Sequence, residues 1–364
     1  MLSFTPSEEQ RMLLDTLHKF AEEELRARAH ECDENASTPP ELVQMGWELG
    51  LLPASIPEAY GGFGEGYSLL TSVLALEELA WGDAGIALTF LTPGLFALPV
   101  LLEGTEAQKA EYLPRFCEEE FYPATAAFVE PVFQFDPYGM KTQATREGDT
   151  YVLHGVKAYV PLAEGAREIL VYANEDGRPQ AFIVSTEDSG VQIERRETLM
   201  GFRALPLYRV HFDGVRVPLE RRLGGEQGSD FDRLLAYMRV ATSAVAVGIA
   251  RAAYEYAREY AKQRVQFGEP IAHRQSIAFM LAEMAIDIDG LRLMTWEAAW
   301  KLDRGEEATR EAYLAKLTAD DVAVQVTDRG VQILGGYGYI REYPAERWLR
   351  NGRGIATLEG VILA

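Results

Sequence analysis

The stretch REILVYANEDGRPQAFIVS, residues 167–185, decides how this chain is divided. Two runs rich in β-branched and aromatic residues, REILVYA and QAFIVS, flank the turn-forming EDGRP, which is the pattern of a β-hairpin. Its neighbours carry the same signal. TYVLHGVKAYV (150–160) has strand-like content, and YRVHFDGVRVP (208–218) alternates until Pro218 stops it. The β character runs from about residue 121 to 222, with helical signals on both sides. Upstream, Thr5-Pro6-Ser7 reads as a helix start, and Leu13, Leu14, Leu17, Phe20, Ala21 and Leu25 follow at helical spacing. A second helix is expected after Pro39-Pro40, then a glycine-rich loop, PEAYGGFGEGY (57–67), then helical patterns in LLTSVLALEELA and GTEAQKAEYLPRF. Downstream, LLAYMRVATSAVAVGIARAAYEYAREYAKQR is long and rich in small residues that let neighbouring helices approach closely. The expectation is helices, then a small β domain, then helices.

Bulk properties narrow the function classes. At 364 residues, 48% hydrophobic and 25% charged, the chain can bury a sizeable core in about two domains' worth of length. A net charge of −21 argues against nucleic acid and against an anionic membrane surface, because both need basic residues. Solubility is the simplest meaning of that acidity. Cys32 and Cys117 are isolated, and the five histidines are scattered without a paired spacing, so neither a disulfide framework nor a metal site is expected. No continuous apolar run reaches about 18 residues, so membrane insertion is not expected. The opening MLSFTPSEEQ lacks the regions of a signal peptide, and together with the cysteine usage this reads as a reducing, cytoplasmic location. Neither a dinucleotide-binding GxGxxG after a strand, a P-loop nor a GxSxG elbow is present. QILGGYGYI (332–340) taken alone reads as a tight turn, and Glu77-Glu78 reads equally as a solvated face or a structural pair.

Five segments, in order along the chain, resemble the acyl-CoA dehydrogenase family of flavoproteins. They are YGGFGEGY (60–67), GTEAQ (104–108), MGFRALPLYRVHFDGVRVP (200–218), RVQFGEPIAHRQ (264–275) and TDRGVQILGGYGYIREYPAERWLRNGR (327–353). The resemblance implies an α+β multidomain fold. It has an N-terminal helical domain (1–120), a middle β-barrel or sandwich domain (121–222) and a C-terminal four-helix-bundle domain (223–364). It implies α,β-dehydrogenation of an acyl-CoA thioester, in which a base removes the α proton and a hydride passes to FAD. In the family the base sits in a Glu-Gly pair a set distance after the Gln of the QILGG motif. Here that is Glu359, 27 residues along from 332 to 359. Other family members place the base one residue before an arginine that resembles Arg239, but that residue is Met238, which cannot serve. Apolar flanks suit the role, because desolvation strengthens a carboxylate as a base. Arg239 is implied as an electrostatic modulator. The resemblance places Phe128, Val129, Tyr159 and Val160 beside the flavin ring. It places Arg264, Phe267, Gln275, Gln332, Gly335 and Gly336 on the pyrophosphate and adenosine of a neighbouring subunit's FAD. A homodimer or homotetramer and an electron-accepting flavoprotein partner are implied in the same way.

The departures cluster. The family's Thr-Glu-Pro-x-Ala-Gly-Ser-Asp is VEPVFQFD (129–136) here, so Val129 replaces a hydroxyl and Gln134-Phe135 replaces Gly-Ser. Phe135 is expected to fill space that the CoA arm would take. KAYVP (157–161) puts Pro161 where the family has a hydroxyl residue, and proline also lacks a backbone donor. Leu205, Leu207 and Val361 remove further hydroxyls. Each loss removes about 0.5–1.5 kcal/mol of net hydrogen bonding. These replacements keep two other readings open. One is a flavin-poor, non-catalytic relative that binds acyl-CoA or a partner subunit; the other is a flavin oxidase or monooxygenase on the same fold.

Overall fold

The computed structural model describes residues 5–363. Helix α1 (Glu8–Phe20) begins at a reciprocal cap: Ser7 Oγ accepts the Gln10 amide, and the Gln10 side chain accepts the Ser7 amide. Two donors that a helix start leaves orphaned are thereby satisfied. A π-helical turn, Ala21–Arg26, carries the chain into α2 (Ala27–Asn35). The helical part continues with α3 (Pro40–Trp47), α4 (Leu51–Ser55), α5 (Leu69–Leu91), α6 (Gly94–Glu103) and α7 (Glu106–Tyr112). Helix α5 breaks at Asp83, whose backbone is extended and whose Oδ1 accepts the Ile86 amide at 3.1 Å. Asp83 thus caps the second half of its own helix.

The middle of the chain forms one seven-stranded sheet. Its strands are β1 (Ala124–Ala127), β2 (Gln143–Glu147), β3 (Thr150–Pro161), β4 (Glu168–Glu175), β5 (Arg178–Ser185), β6 (Val191–Arg196) and β7 (Leu207–Pro218). The order is β1-β4-β2-β3-β7-β6, with β5 paired to β4. The 167–185 hairpin forms, in register from Glu168↔Ser185 to Glu175↔Arg178. Alternation along β4 gives the sheet two apolar faces. Ile169 and Val171 join Leu153, Phe182 and Val210 in the sheet's own core, while Leu170 and Tyr172 join the core shared with the helices.

The C-terminal part holds α8 (Phe231–Gln263), α9 (Gln275–Asp303), α10 (Thr309–Leu334), α11 (Gly336–Tyr339) and α12 (Ala345–Gly354). Helix α8 has an 18-residue window apolar enough to span a membrane, but 94% of that window is buried inside the protein, so it is the core helix of this fold. Polar ties lock the N-terminal helices to the bundle. Glu78 of α5 accepts two bonds from Arg251 of α8, both at 2.6 Å, and contacts His18 at 2.8 Å. Glu77 accepts from Arg292 at 2.9 Å and from Trp296 Nε1 at 2.8 Å. The solvated-face reading of these two acids is therefore wrong. α5 is flanked by α8 and α9, so both carboxylates are engaged by half-buried partners on the neighbouring helices.

Candidate active site

After α12 the chain makes one 3₁₀ turn (Ile355–Thr357) and then a tight turn at Glu359-Gly360. Gly360 adopts φ +71°, a left-handed backbone that favours glycine. It also has no room for a side chain: a Cβ built there would lie 2.2 Å from Cδ1 of Phe128. The turn is thus pressed onto the Phe128 ring. Its geometry presents the Glu359 carboxylate to α8, where Oε1 accepts from Nε of Arg239 at 2.8 Å and lies 2.8 Å from its Nη2 in an ion pair. The apolar flanks do not enclose the carboxylate. Val361, Ile362 and Leu363 are buried in the core, while the Glu359 side chain stays 21% exposed and ion-paired. The Arg239 guanidinium also lies over the Tyr313 ring, 4.9 Å from its centroid, a cation–π contact. A second carboxyl is electrostatically linked to this site. Burial pushes the Asp320 carboxyl up, its Lys316 partner at 2.8 Å opposes this, and the charge of Glu359 adds to the rise.

Phe128 anchors a wall beneath that turn. Its ring stacks on Phe231 at 6.1 Å and meets Phe135 and Tyr172 edge-on at 5.7 and 5.0 Å. Phe135 therefore fills space against Phe128. The Tyr172 hydroxyl is buried without a hydrogen-bond partner. Val129 follows, and its carbonyl accepts the Ala158 amide at 2.8 Å, joining this segment to β3. There β3 carries a bulge. Lys157 pairs with Val210 and Val160 with Tyr208, so three steps on β3 face two on β7. Tyr159 sits in the bulge with φ +55°, which is uncommon for a bulky residue. Val160 and Pro161 are buried beyond it, opposite Tyr208 and Leu207. Leu205 and Leu207 are core residues.

The remaining predicted residues gather elsewhere. Arg264 caps the far end of α8. It shares a groove of about 450 Å³ with Tyr260, Gln266, Ile333, Gly336 and Tyr337. Gly335 ends α10 at φ +61°, and Cβ atoms built at Gly335 or Gly336 meet nothing within 4 Å, so this backbone is open to a ligand. Gln332 is exposed in the last turn of α10, and Gln275 is exposed at the start of α9. Phe267 is 92% exposed at the tip of a two-residue ladder. Arg239 and Arg264 stand on the same helix 25 residues apart, which is about 37 Å at 1.5 Å per residue.

The donor chemistry fits the two ends of FAD differently. The groove offers what a pyrophosphate needs: a forked guanidinium and glycine backbone with free space. The wall at Phe128, Val129, Tyr159 and Val160 offers a largely apolar, aromatic surface whose one side-chain hydroxyl is the Tyr159 phenol, which suits the face of a flat ring. Residue order did not reveal the pair that joins its two segments, Lys157 and Glu130. The available signal was one charge inside each of two otherwise apolar stretches, AAFVEP and VKAYV.

Comparison with known proteins completes the picture. The acyl-CoA dehydrogenase N-terminal, middle and C-terminal domain descriptions match residues 7–120, 125–215 and 230–362. A cyclohex-1-ene-1-carbonyl-CoA dehydrogenase from Geobacter metallireducens is 37% identical over 356 residues, covering 95% of this chain and 93% of that protein. The structure of butyryl-CoA dehydrogenase from Megasphaera elsdenii superposes with a TM-score of 0.89 at 36% identity, covering 99% of this chain and 96% of that one. A chain from structural work on the electron transferring flavoprotein of Acidaminococcus fermentans also superposes with a TM-score of 0.89, at 33% identity and with coverages of 99% and 96%.

Proposed function

The chain belongs to the acyl-CoA dehydrogenase family of FAD-dependent oxidoreductases acting on CH–CH donors, and on that premise we propose that Glu359 is the base that removes the α proton of an acyl-CoA thioester. The observation carrying this reading is the Glu359–Arg239 ion pair at 2.8 Å, held at a glycine turn against the Phe128 wall. Bound FAD supplies the acceptor for the hydride leaving the β carbon. The protein's own task is to place a carboxylate oxygen at the α carbon and to keep water away from it. Arg239 holds Glu359 in one orientation before substrate arrives, and the pair must loosen as the proton is taken. The wall of Phe128, Val129, Tyr159 and Val160 seats the ring. Arg264, Gln332, Gly335 and Gly336, with Phe267 and Gln275 nearby, hold the pyrophosphate and adenosine. The relatives with butyryl-CoA and cyclohexene-carbonyl-CoA in their names make short and cyclic acyl groups the first substrates to try.

Two chains are needed for one site. About 37 Å of α8 separates the ring wall from the groove, more than one cofactor spans, so the groove serves a neighbour's FAD. An exposed apolar stripe supports self-association: Phe279, Ile286 (70% exposed) and Leu293 recur every seven residues on α9. We further propose a cytoplasmic enzyme of acyl-CoA breakdown that does not insert in membranes. Electron delivery to a separate flavoprotein is supported by the Acidaminococcus neighbour. The test is optical. Purified protein should be yellow and should bleach anaerobically on addition of butyryl-CoA or a cyclic acyl-CoA. Glu359→Gln should keep the colour and slow bleaching by about 10²–10⁴-fold. A variant that bleaches at the wild-type rate removes Glu359 from the role.

A further inference from the structure

The reading above uses neither Lys157 nor Glu130, yet they are among the most deeply buried charges in the molecule. Lys157 is 0% exposed. Its Nζ donates to the Phe128 carbonyl at 2.8 Å and to Glu130 Oε1 at 3.1 Å, and reaches Met140 Sδ at 3.6 Å. All three ammonium protons are thus directed at internal partners. The Glu130 carboxylate accepts the Thr142 amide at 2.8 Å on Oε1 and the Lys141 amide at 2.7 Å on Oε2. The pair therefore joins three stretches of chain: the one carrying Phe128 and Val129, the entry to β2, and β3 just before the Tyr159 bulge.

Stability alone is a poor reason for this arrangement, because well-packed apolar residues of similar volume usually serve as well or better than a buried ion pair. The position is more informative. Glu130 lies two residues after Phe128, and Lys157 two residues before Tyr159. A tyrosine at φ +55° persists only where its surroundings over-determine it. The bond from Lys157 to the Phe128 carbonyl and the bond from the Ala158 amide to the Val129 carbonyl supply that constraint at the two residues leading into Tyr159.

We infer that Lys157 and Glu130 are positioning residues: their ion pair holds the Tyr159 bulge and the Phe128 carbonyl in register, and so sets the ring-facing wall against the Glu359-Gly360 turn. The two groups perturb one another as such a clamp requires. Burial pushes the Lys157 ammonium down to about 8 while Glu130 pulls the other way. For Glu130, burial works upward, but Lys157 and the two amides hold its carboxyl below the ordinary range.

The wall's role toward FAD rests on the proposed function, so the experiment has one arm that needs FAD and one that does not. Lys157→Met combined with Glu130→Gln removes the clamp without stranding a charge. Lys157→Gln combined with Glu130→Gln, which also strands no charge and keeps an amide donor for the Phe128 carbonyl, serves if the first double variant does not fold. In the apoprotein, the Ala158 amide should exchange with solvent about tenfold faster, while amides of β4 keep wild-type protection. In the holoprotein, FAD should bind about tenfold more weakly, with an altered visible circular dichroism of the bound flavin. The glutamine pair should show the same changes at smaller amplitude. Unchanged exchange at Ala158 overturns the proposal outright. Faster exchange with unchanged FAD affinity and spectrum overturns the role toward the site and leaves a purely local strut. Should the wild type itself bind no FAD, the seating proposal fails, and the exchange arm still decides whether the pair holds the bulge.

Discussion

The two halves of the proposed FAD site are built on opposite principles. The ring wall is closed and dry. Phe128 packs against Phe231, Tyr172 and Phe135, and the Gly360 turn comes so close that a single methyl would collide with it. The groove at the far end of α8 is open, with bare glycine backbone, an unenclosed Arg264 and an exposed Phe267. The wall is finished by its own chain, so its tolerance for change is small. The groove is left open by its own chain, so its residues answer to binding and hardly to folding. Position is fixed where proton transfer needs it, and adaptable donors are left where a charged tether needs only to be held.

The largest effect that sharpens this contrast should come from Gly360→Val. It forces a β-branched residue to φ +71° and drives its Cβ into Phe128. A loss of about 3 kcal/mol in unfolding free energy is expected, with turnover reduced beyond measurement. A valine variant of wild-type stability and rate would show that the wall is not tight. Next, Arg264→Gln should leave the melting curve unchanged and weaken FAD about tenfold or more, read by flavin fluorescence titration. Co-expressed with Glu359→Gln, it should restore roughly a quarter of wild-type activity per site, because about half of randomly assorted pairs are mixed and each mixed pair has both residues intact at one of its two sites. No recovery in verified mixed oligomers would return both halves to a single chain and break the comparison.

The smallest effect concerns how the wall's turn is anchored. Asp33 of α2 accepts two bonds from Arg350 of α12, at 2.9 and 2.7 Å, and one from Arg341 at 2.7 Å, which ties down the helix leading to Glu359. Burial acts to raise the Asp33 carboxyl, but the bond and charge of Arg350, with Arg347 and Arg203, hold it below the ordinary carboxylate range. A depressed pKa adds stability that is present above the unfolded value, about 3.9, and is lost as pH falls through the lower folded value. Asp33→Asn should cost about 1–3 kcal/mol at pH 7 and flatten the acid limb below about pH 4 in urea titrations. An unchanged acid limb would detach Asp33 from the anchoring role.

Much of this was legible in residue order, and the limits are instructive. The 167–185 hairpin and the helical flanks follow from periodicity, which acts over a few residues. The family resemblance points to Glu359 through its 27-residue register from Gln332, with Met238 at the family's other position for the base. That two groups of implied site residues sit about 37 Å apart was latent in the 25 residues between Arg239 and Arg264, once they proved to share one continuous helix. The environment of the base was not legible. The apolar tail suggested a carboxylate enclosed by its neighbours, but Val361, Ile362 and Leu363 turn into the core and leave Glu359 to Arg239. Glu77 and Glu78 were ambiguous for the same reason, since only helix packing brings Arg292 and Arg251 to them.

Alone, the sequence determined the order of helices and strands and showed neither a P-loop nor a nucleophile-elbow motif. These depend on spacing and residue type, which are local. Only the tertiary structure decided that Phe128 faces Gly360, that Lys157 clamps Glu130 across 27 residues of chain, and that Tyr159 stands in a left-handed bulge. Those contacts arise when separate strands and helices bury against each other. Their energies come from desolvation and close packing between residues distant in sequence, and no local pattern encodes them.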